Sequence, residues 1–282
     1  MLGLDGAVVI PDSGRDDLAD TIESVRAYLP RASIVIVDDR PEPRCPRSLG
    51  PKCVVLPAPS YPRNPYGGLW LKECYAFRWV LANLSATYVL RLDSDALLTG
   101  PGLDSVVVER FAADPRLGVL GSYRKGPDGR ARDFGPAARA VLSEAGLPGL
   151  LLRPASHRVL RKLLRAARAN GYEPGEHALG AVSALRPEML ARCQEMGWLA
   201  MPGLSDSKLG DDWLLALATR AAGYTLGDMD GLGGAIALEW KGLPAAPEEL
   251  LQRGVLATHS VRSWRGRSEA QIRSYFAEKR AG

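Results

Sequence analysis

The sequence predicts an α/β fold built on a mostly parallel central sheet flanked by helices, and three observations carry that expectation. Short apolar runs bounded by turn residues alternate with segments of helical periodicity. The order strand–helix–strand at the start implies a right-handed crossover, hence parallel pairing. A chain of 282 residues that is 46% hydrophobic can bury one large core, so a single domain over residues 1–282 is expected.

Residues 7–10 (Ala-Val-Val-Ile) form the first expected strand, broken by Pro11-Asp12-Ser13-Gly14. A helix over about residues 15–29 follows, with Ser13 or Asp16 placed to cap it and Leu18, Ile22, Val25 and Leu29 at helical spacing. Residues 33–37 form the second strand, ending in Asp38-Asp39, and residues 53–56 the third. A Pro- and Gly-rich loop over 57–68 leads to a helix near 69–84. Residues 86–92 then form a strand that runs into Asp93-Ser94-Asp95. A helix near 103–113 and a strand at 117–120 come next. Residues 177–187 return to strand-like composition, and Pro187 opens a helix to about Met196. Gly210-Asp211-Asp212 opens another helix that runs to Ala222. Late strands at 235–240 and 255–258, the second followed by His259, and a last helix at 268–279 complete the chain.

The stretch with the most chemistry is Asp93-Ser94-Asp95. Residues i and i+2 of an extended chain point the same way, so both carboxylates can face one point. Carboxylates that close repel unless a cation or proton intervenes, and a hard divalent ion suits oxygen ligands. A plain turn explains Asp and Ser after a strand equally well. Asp12, Asp38 and Asp39 also follow strand ends, and ligands of open parallel sheets bind beyond those ends. Five carboxylates on one edge suit a metal, a ribose and a uracil-like base. No Gly-rich phosphate loop of either common type is present.

Other classes are disfavoured. A net charge of +4 is too mild to demand a nucleic-acid partner. Cys45, Cys53, Cys74 and Cys193 have no metal-site spacing and fit reduced thiols of a cytoplasmic protein. No signal peptide and no membrane-spanning stretch is seen, so at most peripheral membrane contact is expected. Residues 122–176 stand apart as a strongly basic insertion whose second half is a helix with Leu160, Leu163, Leu164 and Ala167 inward. It reads either as a solvated surface helix or as an element that attracts an acidic or membrane-bound partner.

The order of these motifs resembles the nucleotide-sugar glycosyltransferases of the GT-A fold, nearest in pattern to family 2. Val9-Ile10-Pro11 resembles the opening of that fold, and Val37-Asp38-Asp39 its nucleoside-facing acid pair. Leu92-Asp93-Ser94-Asp95 resembles its DxD motif. Leu179-Gly180-Ala181 through Arg186 resembles a small-residue strand ending in an arginine near the acceptor. Gly210-Asp211-Asp212 with Ala221-Ala222-Gly223-Tyr224 resembles its GED…aGY segment, with Asp211 where Glu is commoner. The resemblance implies a donor-binding half over 1–121 and an acceptor-binding, C-terminal part over 177–282. The chemistry fits a Mn²⁺ or Mg²⁺ ion held by Asp95, with Asp93 helping through water or ribose, and His259 is a third metal ligand, a phosphate donor or a plain surface or capping histidine. Pro11, Asp12, Asp38, Asp39, Asp93 and Ser94 would contact the donor, a UDP-sugar by preference, and Arg262 and Arg265 its diphosphate. Asp212 would be the base, with Asp211 at an acceptor that is a small molecule, glycan, lipid-linked intermediate or peptide. The competing expectations are a haloacid-dehalogenase-like phosphatase, which shares a DxD pair, and a fold that binds a nucleotide sugar without turnover.

Overall fold

In the computed structural model, residues 5–14, 17–59 and 65–281 are described. Along the chain run β1 (Gly6–Asp12), α1 (Leu18–Tyr28), β2 (Ser33–Asp38), β3 (Cys53–Pro57), α2 (Pro65–Asn83), β4 (Tyr88–Leu92), β5 (Leu97–Leu98) and α3 (Leu103–Ala113). There follow β6 (Leu117–Gly121), α4 (Gly135–Ala145), α5 (Leu147–Leu152), α6 (Pro154–Ala169), β7 (Val182–Leu185) and α7 (Pro187–Glu195). The chain ends with α8 (Asp211–Ala221), β8 (Thr225–Asp228), β9 (Ile236–Leu238), α9 (Pro247–Gln252), β10 (Ala257–His259), a short β11–β12 hairpin (Ser263–Trp264, Arg267–Ser268) and α10 (Glu269–Ala281).

Seven strands pair in the order β3-β2-β1-β4-β7-β6-β8. The first four are parallel, as are β6 and β8. β7 runs antiparallel to both its neighbours, β4 and β6. The mostly parallel α/β expectation therefore holds, with one reversed strand at the centre. Both faces of the sheet are covered, which is why its strands read as apolar runs and not as alternating ones. Ala7, Val9, Val35, Val37 and Val89 join one core with Trp70, Phe77, Leu214 and Leu217. Their neighbours Val8, Ile10, Ile34, Ile36 and Leu90 join a second core with Leu18, Ile22, Val107 and Phe111 on the opposite face. α6 of the basic segment sits in the first core, with Leu160, Leu163 and Leu164 inward as expected.

Several expectations are corrected. β1 does not break at Pro11 but continues through Asp12, because its register with β4 ends at Val9 while that with β2 runs to Asp12. A proline there removes no ladder hydrogen bond on the β4 side. α1 begins at Leu18, after Asp17, so Ser13 does not cap it, and Asp16 lies outside the described residues. Only residues 182–185 of the strand-like stretch 177–187 form a strand. Because that strand is antiparallel, its start and not its end lies beside the carboxylate edge: the Asp93 N–H donates to the Ala181 carbonyl. Arg186 is therefore at the far end, donating to the carbonyls of Leu117, Phe111 and Asp114 and stacking on Phe111, away from the carboxylate edge where the acceptor was expected.

α2 begins four residues earlier than expected, taking in Gly67 and Gly68. A Cβ on Gly67 would overlap the Leu204 carbonyl oxygen, whereas one on Gly68 meets nothing within 4 Å. Gly67→Ala is expected to destabilise the fold by about 1–3 kcal/mol. Gly68→Ala, which only gains helix propensity, is expected to stabilise it by about 0.5–1 kcal/mol. Denaturant melts of the two variants, opposite in sign, check this.

Candidate active site

The site is built where β4, β7, β10 and the first turn of α8 meet. β4 carries Arg91 within the apolar run Tyr-Val-Leu-Arg-Leu, and its side chain is 3% exposed. A buried charge must be paired. Arg91 Nε donates to Glu73 Oε1 of α2 at 2.8 Å, and Nη2 donates to Asp211 Oδ2 of α8 at 2.8 Å. Nη1 lies 2.9 Å from Asp93 Oδ1 but is not aligned as a hydrogen bond, so that contact is one of charge. One guanidinium thus holds an acid from each side of the site. Burial pushes the Glu73 carboxyl well up, although Arg91 pulls it down. Gly180 packs over this network: a Cβ there would sit 3.0 Å from Asp211 Oδ2 and 3.2 Å from Arg91 Nη1.

Beyond β4 the chain turns through Asp93, Ser94 and Asp95, and the Val261 N–H donates to the Asp95 carbonyl. This ties the turn to the end of β10, which carries His259. The His259 Nδ1 is 2.8 Å from the Glu239 carbonyl, an acceptor only, so Nδ1 carries a proton and the ring is fixed. Its Nε2 is directed at Asp95 Oδ1 (3.3 Å) and Asp93 Oδ2 (3.8 Å). What lies between those three atoms must be positive, a proton or a metal cation. One ligand atom from each of Asp93, Asp95 and His259 falls within 4.8 Å of the others. Two carboxylates and an imidazole whose other nitrogen is held by a carbonyl are a fitting donor set for a divalent cation such as Mn²⁺ or Mg²⁺. Arg262 Nε (2.6 Å) and Ser260 Oγ (3.1 Å) donate to Asp95 Oδ2. Burial opposes the Asp95 charge, but His259, Arg262 and Ser260 outweigh it and hold the carboxyl below the usual carboxylate range.

Across the cleft, Asp211 and Asp212 open α8 after Gly210. Asp212 Oδ1 accepts from the Trp213 N–H at 2.9 Å. His177 Nε2 is 3.7 Å from Asp212 Oδ2, but this is no ion pair. The His177 Nδ1 faces the Gly175 carbonyl at 2.8 Å, and Nε2 faces Arg132 Nη2, a donor only, at 2.8 Å. The ring is neutral, and burial with the Arg132 charge lowers its pKa to about 4. Among the described residues no lysine or arginine forms an ion pair with Asp212, although the charges of Arg91 and Arg132 pull its carboxyl down. Burial, and then the charge of Asp211, push its carboxyl up to about 8. Asp93, His259, Arg91, Asp211 and Asp212 all line one cleft of about 580 Å³, with Tyr66 and the exposed Trp240 also on its wall.

The remaining expected site residues lie elsewhere. Asp12 and Asp38 are register partners at the ends of β1 and β2 and are occupied by arginines. Asp12 accepts from Arg44 Nε (2.8 Å) and Asp38 from Arg40 Nη2 (2.8 Å) and the Arg44 N–H (2.6 Å). Burial opposes the Asp38 charge, but these bonds outweigh it and lower the carboxyl. Asp39 is exposed and pairs with Lys72. Pro11 lies within β1, and none of these four residues lines the cleft. Ser94 is buried, its carbonyl accepting from Thr21 and Arg273. Arg265 is exposed and stacks on Trp264, so it is not brought to the cleft. Arg91, Glu73 and His177 were missed by the motif reading. The available signal for the first was a lone Arg inside an otherwise apolar strand.

Fold and site together describe an α/β protein with a cation-binding donor set facing a carboxylate pair. No protein-family model matches the chain. No curated protein matches it either. Among solved structures it is similar to a mannosyltransferase of Pyrobaculum calidifontis, in complex with GDP-mannose and Mn²⁺, at 16% identity and a TM-score of 0.46. The match covers 92% of this chain and 57% of that one. It is also similar to a glycosyltransferase involved in glycosylation of the major capsid of PBCV-1, at 10% identity and a TM-score of 0.45, over 98% of this chain and 99% of that one.

Proposed function

We propose that the protein is a divalent-cation-dependent glycosyltransferase that moves a sugar from a nucleoside diphosphate, with uridine the expected base, to an acceptor nucleophile. The observation that carries this is a cleft lined by Asp93 and His259, which cluster with the buried Asp95, and by Asp212, whose carboxyl is pushed up. Asp93, Asp95 and His259 would hold the cation, which when bound neutralises charge growing on the departing diphosphate. Arg262, partly exposed and already bonded to Asp95, is placed to meet the same phosphates. An acceptor hydroxyl, amine or thiol must shed a proton as it attacks, and Asp212 is the base that takes it. Asp211, fixed by Arg91, contacts the acceptor. Direct displacement by this route inverts the anomeric carbon. The three strands and two α-helices before β4 count against the phosphatase reading, in which the DxD strand comes first.

Calorimetric titration with UDP, dTDP and GDP, with and without Mn²⁺ or Mg²⁺, tests the donor side. Cation-dependent binding of one diphosphate is expected, and Asp95→Ala should abolish it. Absence of binding by all three under every condition would reject the assignment.

A further inference from the structure

On the far side of α6 from its buried face, a patch of the molecule combines exposed leucines with unpaired cations. α5 has the sequence Leu-Pro-Gly-Leu-Leu-Leu, without one polar side chain. Leu147, Leu151 and Leu152 are 66%, 73% and 72% exposed, and Leu142 and Leu150 are exposed beside them. Scattered exposed leucines are ordinary, but five within eleven residues form a patch that a water-facing helix has no reason to keep. Cations surround it. Leu150 shares a groove with Arg158, Arg161 and Arg165, and Leu142 shares a second one with Arg161, Arg165 and Arg168. All four arginines are exposed and make no ion pair among the described residues. An apolar ridge bordered by unneutralised arginines matches the acyl–headgroup boundary of an anionic bilayer, where the leucines enter the apolar layer and the arginines meet lipid phosphates. No helix among the described residues is long and apolar enough to cross a membrane, so such contact is interfacial.

We propose that α5 with the outer face of α6 is a docking surface for an anionic lipid membrane. The surface is tied to the cleft but is not part of it. Glu144, at the end of α4, accepts from Ser156 Oγ of α6 (2.6 Å) and from the N–H of Lys208 (3.0 Å), a residue of the cleft wall. The inference does not depend on the reaction proposed above, and its test uses no substrate.

The full-length chain is floated with phosphatidylcholine vesicles with and without phosphatidylglycerol. Wild type is expected to float with the anionic vesicles only. Leu147→Ser/Leu151→Ser/Leu152→Ser and Arg158→Glu/Arg161→Glu/Arg165→Glu are each expected to lower the vesicle partition coefficient at least about tenfold. Since all six side chains face water, both variants should melt with wild type. Failure of wild type to float overturns the proposal. So does a leucine variant that floats as wild type does, because the surface would then be merely polycationic. A wild-type dimer in light scattering that the leucine variant makes monomeric, without vesicle binding, would instead assign the face to a second copy of this chain.

Discussion

Asp212→Asn is expected to lower turnover by about 10²- to 10⁴-fold while leaving cation-dependent diphosphate affinity nearly unchanged. The reason is local. Asn keeps an acceptor for the Trp213 N–H, so the first turn of α8 stays as it is, and only the proton-accepting oxygen is lost. The side chain is 17% exposed, enough to meet an acceptor yet buried enough for its charge to be disfavoured. With the carboxyl pushed up to about 8, the base form of the free enzyme accumulates as pH rises through that value. Wild-type kcat/KM should therefore climb across that window, well above the usual carboxylate range, and the Asn variant should lose the limb. Asp211 and Asp212 are neighbours, so the limb reports the pair. Stability should run the other way. A carboxyl raised on folding stabilises the fold below its unfolded pKa of about 3.9, and that contribution is lost as pH rises through the folded value. Asp212→Asn should therefore gain thermal stability relative to wild type as pH approaches 8. A variant equally active at every pH would remove Asp212 from the chemistry.

What the sequence made legible, and what it did not, follows from the range of the interactions involved. Periodicity and turn residues are local, so the strands before each acid and the amphipathic face of α6 could be read directly. The Asp93–Asp95 pair was visible as two acids just past a strand, but not for the reason alternation gives: the chain turns there, with the Ala96 N–H donating to the Asp93 carbonyl, and that turn brings the two carboxylates to one side. Its third member, His259, was legible only as a versatile side chain with several possible roles, and is brought there by β10, over 160 residues later, pairing with β5 just past the acids. Strand direction was not legible. Nothing in residues 182–185 says that they run against β4, and that one reversal carried Arg186 to the wrong end of the sheet. Nor could sequence show which acids already have partners. Asp12 and Asp38 look like Asp93 and Asp95 in sequence, but the loop after β2 returns Arg40 and Arg44 onto them. Asp93 and Asp95 meet arginines too, Arg91 and Arg262, so what sets them apart is that they share His259 beside the cleft, a distinction that lies wholly in tertiary contacts.

Arg91→Met is expected to destabilise the protein by about 3–5 kcal/mol, the usual result of removing one partner from a buried ionic network. For a chain of this size that lowers the melting temperature by on the order of 10 °C. Methionine matches the length of the side chain but leaves Glu73, Asp93 and Asp211 without their shared cation. The three losses are unequal. Asp93 and Asp211 are partly exposed and can be hydrated, whereas Glu73 is 1% exposed and cannot. Most of the penalty should come from Glu73, so Glu73→Gln placed on top of Arg91→Met should recover much of the lost stability. The pH dependence separates this account from simple loss of packing. Burial already pushes Glu73 up, and without Arg91 it rises further. A carboxyl raised on folding withdraws stability as pH climbs through its folded value. The deficit of Arg91→Met should therefore be smallest in acid and widen toward pH 8, while the double variant should show no such widening. Recovery of stability should not restore turnover, because Asp93 and Asp211 would still lack the guanidinium that holds the two walls of the cleft in register. Arg91→Lys should not substitute for wild type either, since one compact ammonium cannot reach Glu73 and Asp211 together along the two directions the guanidinium fixes. Calorimetric melts from pH 5 to pH 8 and steady-state rates on these variants decide it: a deficit flat with pH would reject the assignment to Glu73, and an Arg91→Met variant of wild-type stability would reject the network as a structural element.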